Sequence, residues 1–201
     1  VYTPIIADTM ASRWALEALV VEQFSSNQYQ VELFDVEQSL SQSKYISEIL
    51  VPEIRANLDF LFLKANVPNK LAKDKIALNL VKVELPKLAK RTGIKIDFPD
   101  STLRSEVISR EERNQIKRYL KRVSRHYYES SDQEREELSD LLGKTDNQEQ
   151  LRRRHHNTSI ENLVRNRGEL NDLRLTGGQF AQISDPVYQN PQSSIGRAPY
   201  M

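Results

Sequence analysis

Residues 109–127 read SREERNQIKRYLKRVSRHY, and the spacing within them decides the fold. Ser109 followed three residues later by Glu112 is a capping-box pattern, in which each side chain satisfies the other's amide at a helix start. Behind it, Ile116, Leu120, Val123 and Tyr127 recur at intervals of three and four, one apolar stripe on a helix otherwise covered in charge. A stripe that narrow has to be covered by neighbours of the same kind.

The flanking sequence supplies them. Upstream, Leu71, Ile76, Leu80, Val83 and Leu88 predict a helix from about Lys70 to Thr92, with Gly93 as its stop and Pro86 as a point of bending. Before that, Leu33, Val36, Leu40, Ile46, Ile49, Leu50, Ile54, Leu58 and Leu61 predict a helix between Val31 and about Val67, which Pro52 should kink or restart near Val51. Asp8 or Thr9 is placed to cap a first helix carrying Met10, Trp14, Ala18, Leu19 and Phe24, which the polar run Ser25-Ser26-Asn27 ends. Downstream, an acidic helix is expected from about Asp132 to Leu142, closed by Gly143, and another from Gln148 to Asn166.

Strand signals are scarce. Ile94, Ile96 and Phe98 alternate, too briefly to build a sheet alone. With six glycines in 201 residues the chain has few tight turns, which favours long helices. The expected fold is all-α, an elongated antiparallel helical bundle with an irregular C-terminal tail. It forms one domain over 1–201, with a helical body at about 8–168 and a tail at about 169–201.

Composition narrows the function. A formal charge of +1, split as −1 over residues 1–100 and +2 over the rest, provides no long-range field for nucleic acid or an anionic bilayer. No cysteine is present, which removes disulfides, thiolate zinc sites and cysteine nucleophiles together. No apolar run approaches the length of a spanning helix. Beginning at Val1-Tyr2-Thr3-Pro4, without a starting methionine or a signal peptide, the chain reads as a piece of a longer protein.

Clusters that could carry chemistry have plainer explanations. Arg110, Arg113, Lys117, Arg118, Lys121, Arg122 and Arg125 suggest an RNA or anionic-lipid surface, but Glu129, Asp132, Glu134, Glu136, Glu137 and Asp140 follow at once. A helical hairpin would let one block neutralise the other. In Arg152-Arg153-Arg154-His155-His156 the adjacent histidines point about 100° apart on a helix, whereas a metal pair needs a spacing of three or four. Thr176-Gly177-Gly178 lacks the Lys-Ser/Thr of a phosphate-binding loop, and Glu134 with Glu137 reads as a polar face, not an acid and a base. No residues select a reaction, so the domain is expected to be non-catalytic, with no cofactor or metal of its own. The tail segment Asp185-Pro186-Val187-Tyr188-Gln189-Asn190-Pro191 has two readings. It is a docked strap using Phe180, Ile183, Val187 and Tyr188, or a frayed crossing.

Residues 10–24, MASRWALEALVVEQF, are specific enough to support a resemblance. They resemble the segment following the fifth membrane helix of White-type, or G-subfamily, ATP-binding-cassette exporters, and the form Met-x-Ser-Arg-Trp-Ala looks like bacterial relatives of the Bacteroidetes group. The corresponding places are Arg13, Trp14, Glu17, Leu19 and Phe24, with Ser12 beside them. The resemblance implies a domain in the last large external loop, on the periplasmic side of the inner membrane. Ser12, Arg13, Trp14 and Glu17 would then be membrane-proximal or interface residues. It also implies as partners the membrane and cassette domains of the same parent protein, a second copy in a dimeric transporter and a periplasmic partner, and no nucleic acid. Animal members carry a short loop there, often with cysteines, so residues beyond 24 draw no support from them. Read from the residues alone, Arg13 and Glu17 form an ion pair on an ordinary amphipathic helix.

Two functions follow. In the first, the domain assists substrate passage or partner contact in an exporter whose ATP hydrolysis happens elsewhere, and Val1 and Met201 lie at the same end of the fold. In the second, a freestanding helical module binds RNA or an acidic protein partner through helix 110–125.

Overall fold

The computed structural model describes residues 11–63, 70–99, 107–143, 146–166 and 173–189. The fold is mostly helical, as the spacing predicts, with one two-stranded sheet. In chain order the helices are α1 (Ala11–Ser25), α2 (Phe34–Lys44), α3 (Val51–Phe60), α4 (Lys70–Thr92), α5 (Arg110–Gly143), α6 (Asp146–His155) and α7 (Thr158–Arg165). A π-helical stretch, Tyr45–Leu50, joins α2 to α3, and a 3-10 turn covers Pro186–Tyr188. No helix among the described residues is long and apolar enough to cross a membrane. The chain packs as two compact units made of interleaved segments: unit I takes Val1–Gln42, Ser131–Asp172 and Ile183–Met201, and unit II takes Ser43–Ser130 and Leu173–Gln182.

Unit II holds the larger core. Ile46, Leu50, Ile54 and Leu58 are all buried at intervals of four. That spacing lags behind a 3.6-residue turn, and the wider π turns take up the lag. The π stretch ends where Val51 N–H reaches back to Ile46, and α3 starts at once with Pro52 in its first turn, where a missing amide costs least. What changes at Val51 is the hydrogen-bond pattern, from π to α, with Leu50 and Val51 both helical in backbone, so the chain passes Pro52 without the break a restart would bring.

Helix α4 has the predicted limits, and Gly93 ends it at φ +69°, its amide bonded to Ala89. Its buried stripe is Ala77, Leu80, Val81, Glu84, Leu85 and Leu88. The expected stripe needs correcting at its first two positions, since Leu71 and Ile76 face outward, at 82 % and 53 % exposure. Pro86 is on the exposed side of a helix that continues through it. Ile94, Ile96 and Phe98 follow as extended chain with alternating burial and no sheet partner among the described residues, held by Tyr119 and Arg122 of α5.

At the start of α5 the capping box is present in both directions: Ser109 N–H donates to Glu112 at 2.8 Å and Glu112 N–H to Ser109 Oγ at 3.2 Å. The helix then runs without a break to Gly143, which corrects the hairpin expected between its basic and acidic blocks. Residues 126–131, HYYESS, contain neither glycine nor proline, so nothing stops the propagation of hydrogen bonds.

A β-hairpin completes unit II, in a segment that reads as irregular tail. Leu173–Thr176 (β1) pairs antiparallel with Gln179–Gln182 (β2) across Gly177-Gly178, both at positive φ, as a two-residue primed turn demands. Two strands alone are marginal. Here Leu173 and Phe180 pack on the core, while the buried Glu84 carboxylate accepts Phe180 N–H at 2.9 Å, Lys87 donates to Gln179 and Arg91 to Gln182.

Unit I is smaller. Its core is Phe24, Val164, Val187 and Tyr188, with Val20, Val21, Phe34 and Ile160 against it. The single helix expected over 148–166 is two, because the Asn157 side chain accepts the amides of Ser159 and Ile160 and caps a new helix there.

Candidate functional site

The resemblance-derived residues are all on α1. Ser12 is exposed, and Glu17 is buried at 2 % exposure. The side chains of Arg13 and Trp14 lie outside those described, although both positions are helical. Val1 and Met201, whose proximity the exporter reading expects, also lie outside the described residues.

Of the two readings of the tail, the docked strap is the one present over residues 183–189. Asp185, at φ +45°, turns the chain so that Val187 and Tyr188 enter the core of unit I. The Tyr188 ring meets those of Phe24 and Phe34 at centroid distances of 6.1 and 5.4 Å, and its hydroxyl donates to Glu37, which also accepts from Gln30. Burial, then the Glu37 charge, pushes the Tyr188 phenol well above its ordinary value, so it remains a donor. Arg165 lies over the same ring at 5.2 Å and bonds to both Asp185 and Glu161. Burial works to lower the Arg165 value, but the Asp185 hydrogen bond and charge outweigh it and hold the guanidinium firmly charged. Ser41 donates to Asp185 at 2.9 Å, and Gln42 to the Tyr188 carbonyl at 3.1 Å. The network is polar and anchors the strap to α2 and α7.

The histidines diverge as their spacing implies. His156 Nε2 is 3.2 Å from Glu161 and its ring abuts Tyr29, while His155 is exposed. Glu134 accepts a hydrogen bond from Ser39, and Glu137 is exposed, so these two form no pair.

The basic block of α5 divides by partner. Arg113 and Lys117 converge on one oxygen of Asp59, at 2.8 and 2.6 Å, with Arg113 also over the Phe62 ring. Burial raises the Asp59 value, but the hydrogen bonds from Lys117 and Arg113 outweigh it and hold the carboxyl below its usual range. Arg122 pairs with Asp97 at 3.0 Å and likewise lowers that carboxyl. Arg118 and Lys121 make no ion pair among the described residues, and neither does Arg55 on α3. These three cations, with Lys117, Glu111, Asn114 and Gln115, line an open groove of about 590 Å³ in unit II. Such a groove can hold an anion by charge-assisted hydrogen bonds; its residues include no nucleophile paired with a base.

Sequence reasoning singles out the helix 110–125 but not Arg55, whose place opposite it depends on packing between distant segments. Glu37 and Arg165 are missed for the same reason, whereas Asp185-Pro186 does announce the turn that places Tyr188. No known protein family matches this chain, and no curated protein or solved structure shows significant similarity to it.

Proposed function

We propose that this chain is a non-catalytic helical domain of an ATP-binding-cassette exporter of White-type character. It is placed on the periplasmic side of the inner membrane, where it assists substrate passage or contacts a partner. ATP hydrolysis and the membrane spans belong to other domains of the parent protein. The observation that carries this reading is the behaviour of the motif helix. Two of the positions on which the resemblance rests, Glu17 and Phe24, are buried at 2 % and 3 % exposure on one helix and help tie α1 into its unit, while Leu19 of the same motif is exposed.

The chain has no cysteine, which permits a direct test. Glu136→Cys, at an exposed position of α5, adds one thiol to the domain of the full-length protein. A membrane-impermeant maleimide should label it in intact spheroplasts, above the level of the unsubstituted parent. Labelling that appears only after lysis would overturn the periplasmic placement and the exporter-loop reading with it.

A further inference from the structure

We infer that the groove between Arg55 of α3 and the Arg118–Lys121 face of α5 is a docking site for an acidic, extended segment of a partner protein. The proposal stands apart from the exporter reading and depends on unit II alone.

Charge supplies the first argument. Asp59 already holds Arg113 and Lys117, and Asp97 holds Arg122, so among the described residues Glu111 is the one carboxylate lining the groove, against four cations. Arg55, Arg118 and Lys121, exposed on two different helices, line one groove and form no ion pair among the described residues, although Asp97 also feels the charge of Arg118. A helix surface normally offers its arginines acids at three or four residues' distance. Around Arg118 the residues three and four away are Gln115, Asn114, Lys121 and Arg122, so α5 supplies no such partner. The acidic residues from Glu129 onward come further along the same unbroken helix.

The rest of the lining selects among anions. A phosphate backbone brings no donors for the Glu111 carboxylate and the side-chain carbonyls of Asn114 and Gln115, whereas an extended peptide offers its amides to them and its carbonyls to the side-chain NH2 groups. Among the described residues no aromatic ring lines the groove, so they offer single-stranded nucleic acid no stacking platform. The near-neutral chain also lacks the broad positive field that draws polynucleotides. An acidic peptide matches both features: its carboxylates meet the three cations, and its backbone meets the amides.

The test uses the whole 201-residue chain and a fluorescent hexaglutamate peptide, followed by anisotropy at low and moderate salt. Binding is expected, weakening as salt rises, and Arg118→Glu with Lys121→Glu should reduce affinity at least about tenfold. Arg152→Glu with Arg154→Glu, an equal charge change on exposed α6 positions, should leave it within about twofold. If the reversal disturbs folding, Arg118→Gln with Lys121→Gln, checked by circular dichroism, must show the same direction of loss. Absence of binding at low salt would overturn the proposal, as would equal losses in the α6 control. A single-stranded oligonucleotide of equal charge binding more tightly than the peptide would overturn it in favour of nucleic acid.

Discussion

Arg165 grips Asp185 with two hydrogen bonds at once, Nε to Oδ1 at 2.6 Å and Nη2 to Oδ2 at 3.2 Å, while Arg165 Nη1 reaches Glu161 at 3.1 Å. The planar guanidinium matches the carboxylate edge, so the pair fixes orientation as well as distance. It joins the end of α7 to the turn that delivers Tyr188.

Removing Asp185 leaves the half-buried Arg165 with Glu161, and removing Arg165 leaves the half-buried Asp185 with the Ser41 hydroxyl, each short of its two-bond partner. Arg165→Ala and Asp185→Ala should each cost about 2–3 kcal/mol in urea unfolding. Because both break one interaction, the double variant should cost less than the sum of the two.

Tyr188 separates polar from apolar anchoring. Tyr188→Phe deletes only the hydrogen bond to Glu37 and should cost about 1–2 kcal/mol. Tyr188→Ala also empties the aromatic cluster with Phe24 and Phe34 and should cost about 3–5 kcal/mol. Equal losses would mean that the ring contributes little.

Acid should weaken unit II through Asp59 and Asp97. Their folded values are depressed by neighbouring cations, so their stabilisation is complete above the unfolded value of about 4 and is lost as pH falls through the folded value. Urea midpoints followed from neutral to acidic pH should show wild type losing more stability than Asp59→Asn with Asp97→Asn, and the gap between them closing. A gap that stays constant would remove these carboxylates from the acid response.

The hairpin depends on Glu84. Replacing it with alanine deprives Phe180 N–H of its acceptor and Lys87 of a partner at 3.4 Å. Amide exchange at Phe180 should accelerate by about tenfold or more, with little change at Ile116 and Leu120 in the core. Acceleration spread equally over all three would signal global destabilisation instead.

Local rules made much of this legible. The capping box at Ser109 and Glu112, the left-handed Gly93 and the tolerance of Pro52 in the first turn of α3 each depend on neighbours within a few residues, which the sequence displays. The fold class follows from the same periodicity. Pairing at long range is less visible. Leu71 and Ile76 belong to the helix by spacing, yet only the packing of α4 shows that the buried face begins at Ala77. The β-hairpin is poor in strand formers and owes its position to Glu84, some ninety residues earlier. The groove needed Arg55 from a separate helix, and the open state of Arg118 and Lys121 depended on which acids Arg113, Lys117 and Arg122 had taken.

The interleaving of the units bears on how the chain is made. The hairpin at 173–182 belongs to unit II and the strap at 183–189 to unit I, so both units receive late packed pieces from adjoining stretches of chain. During translation neither can close ahead of the other, contrary to the usual order in which the earlier domain folds first. A stop codon before Leu173 would leave two unfinished cores in one product, one lacking Phe180 and the other Tyr188.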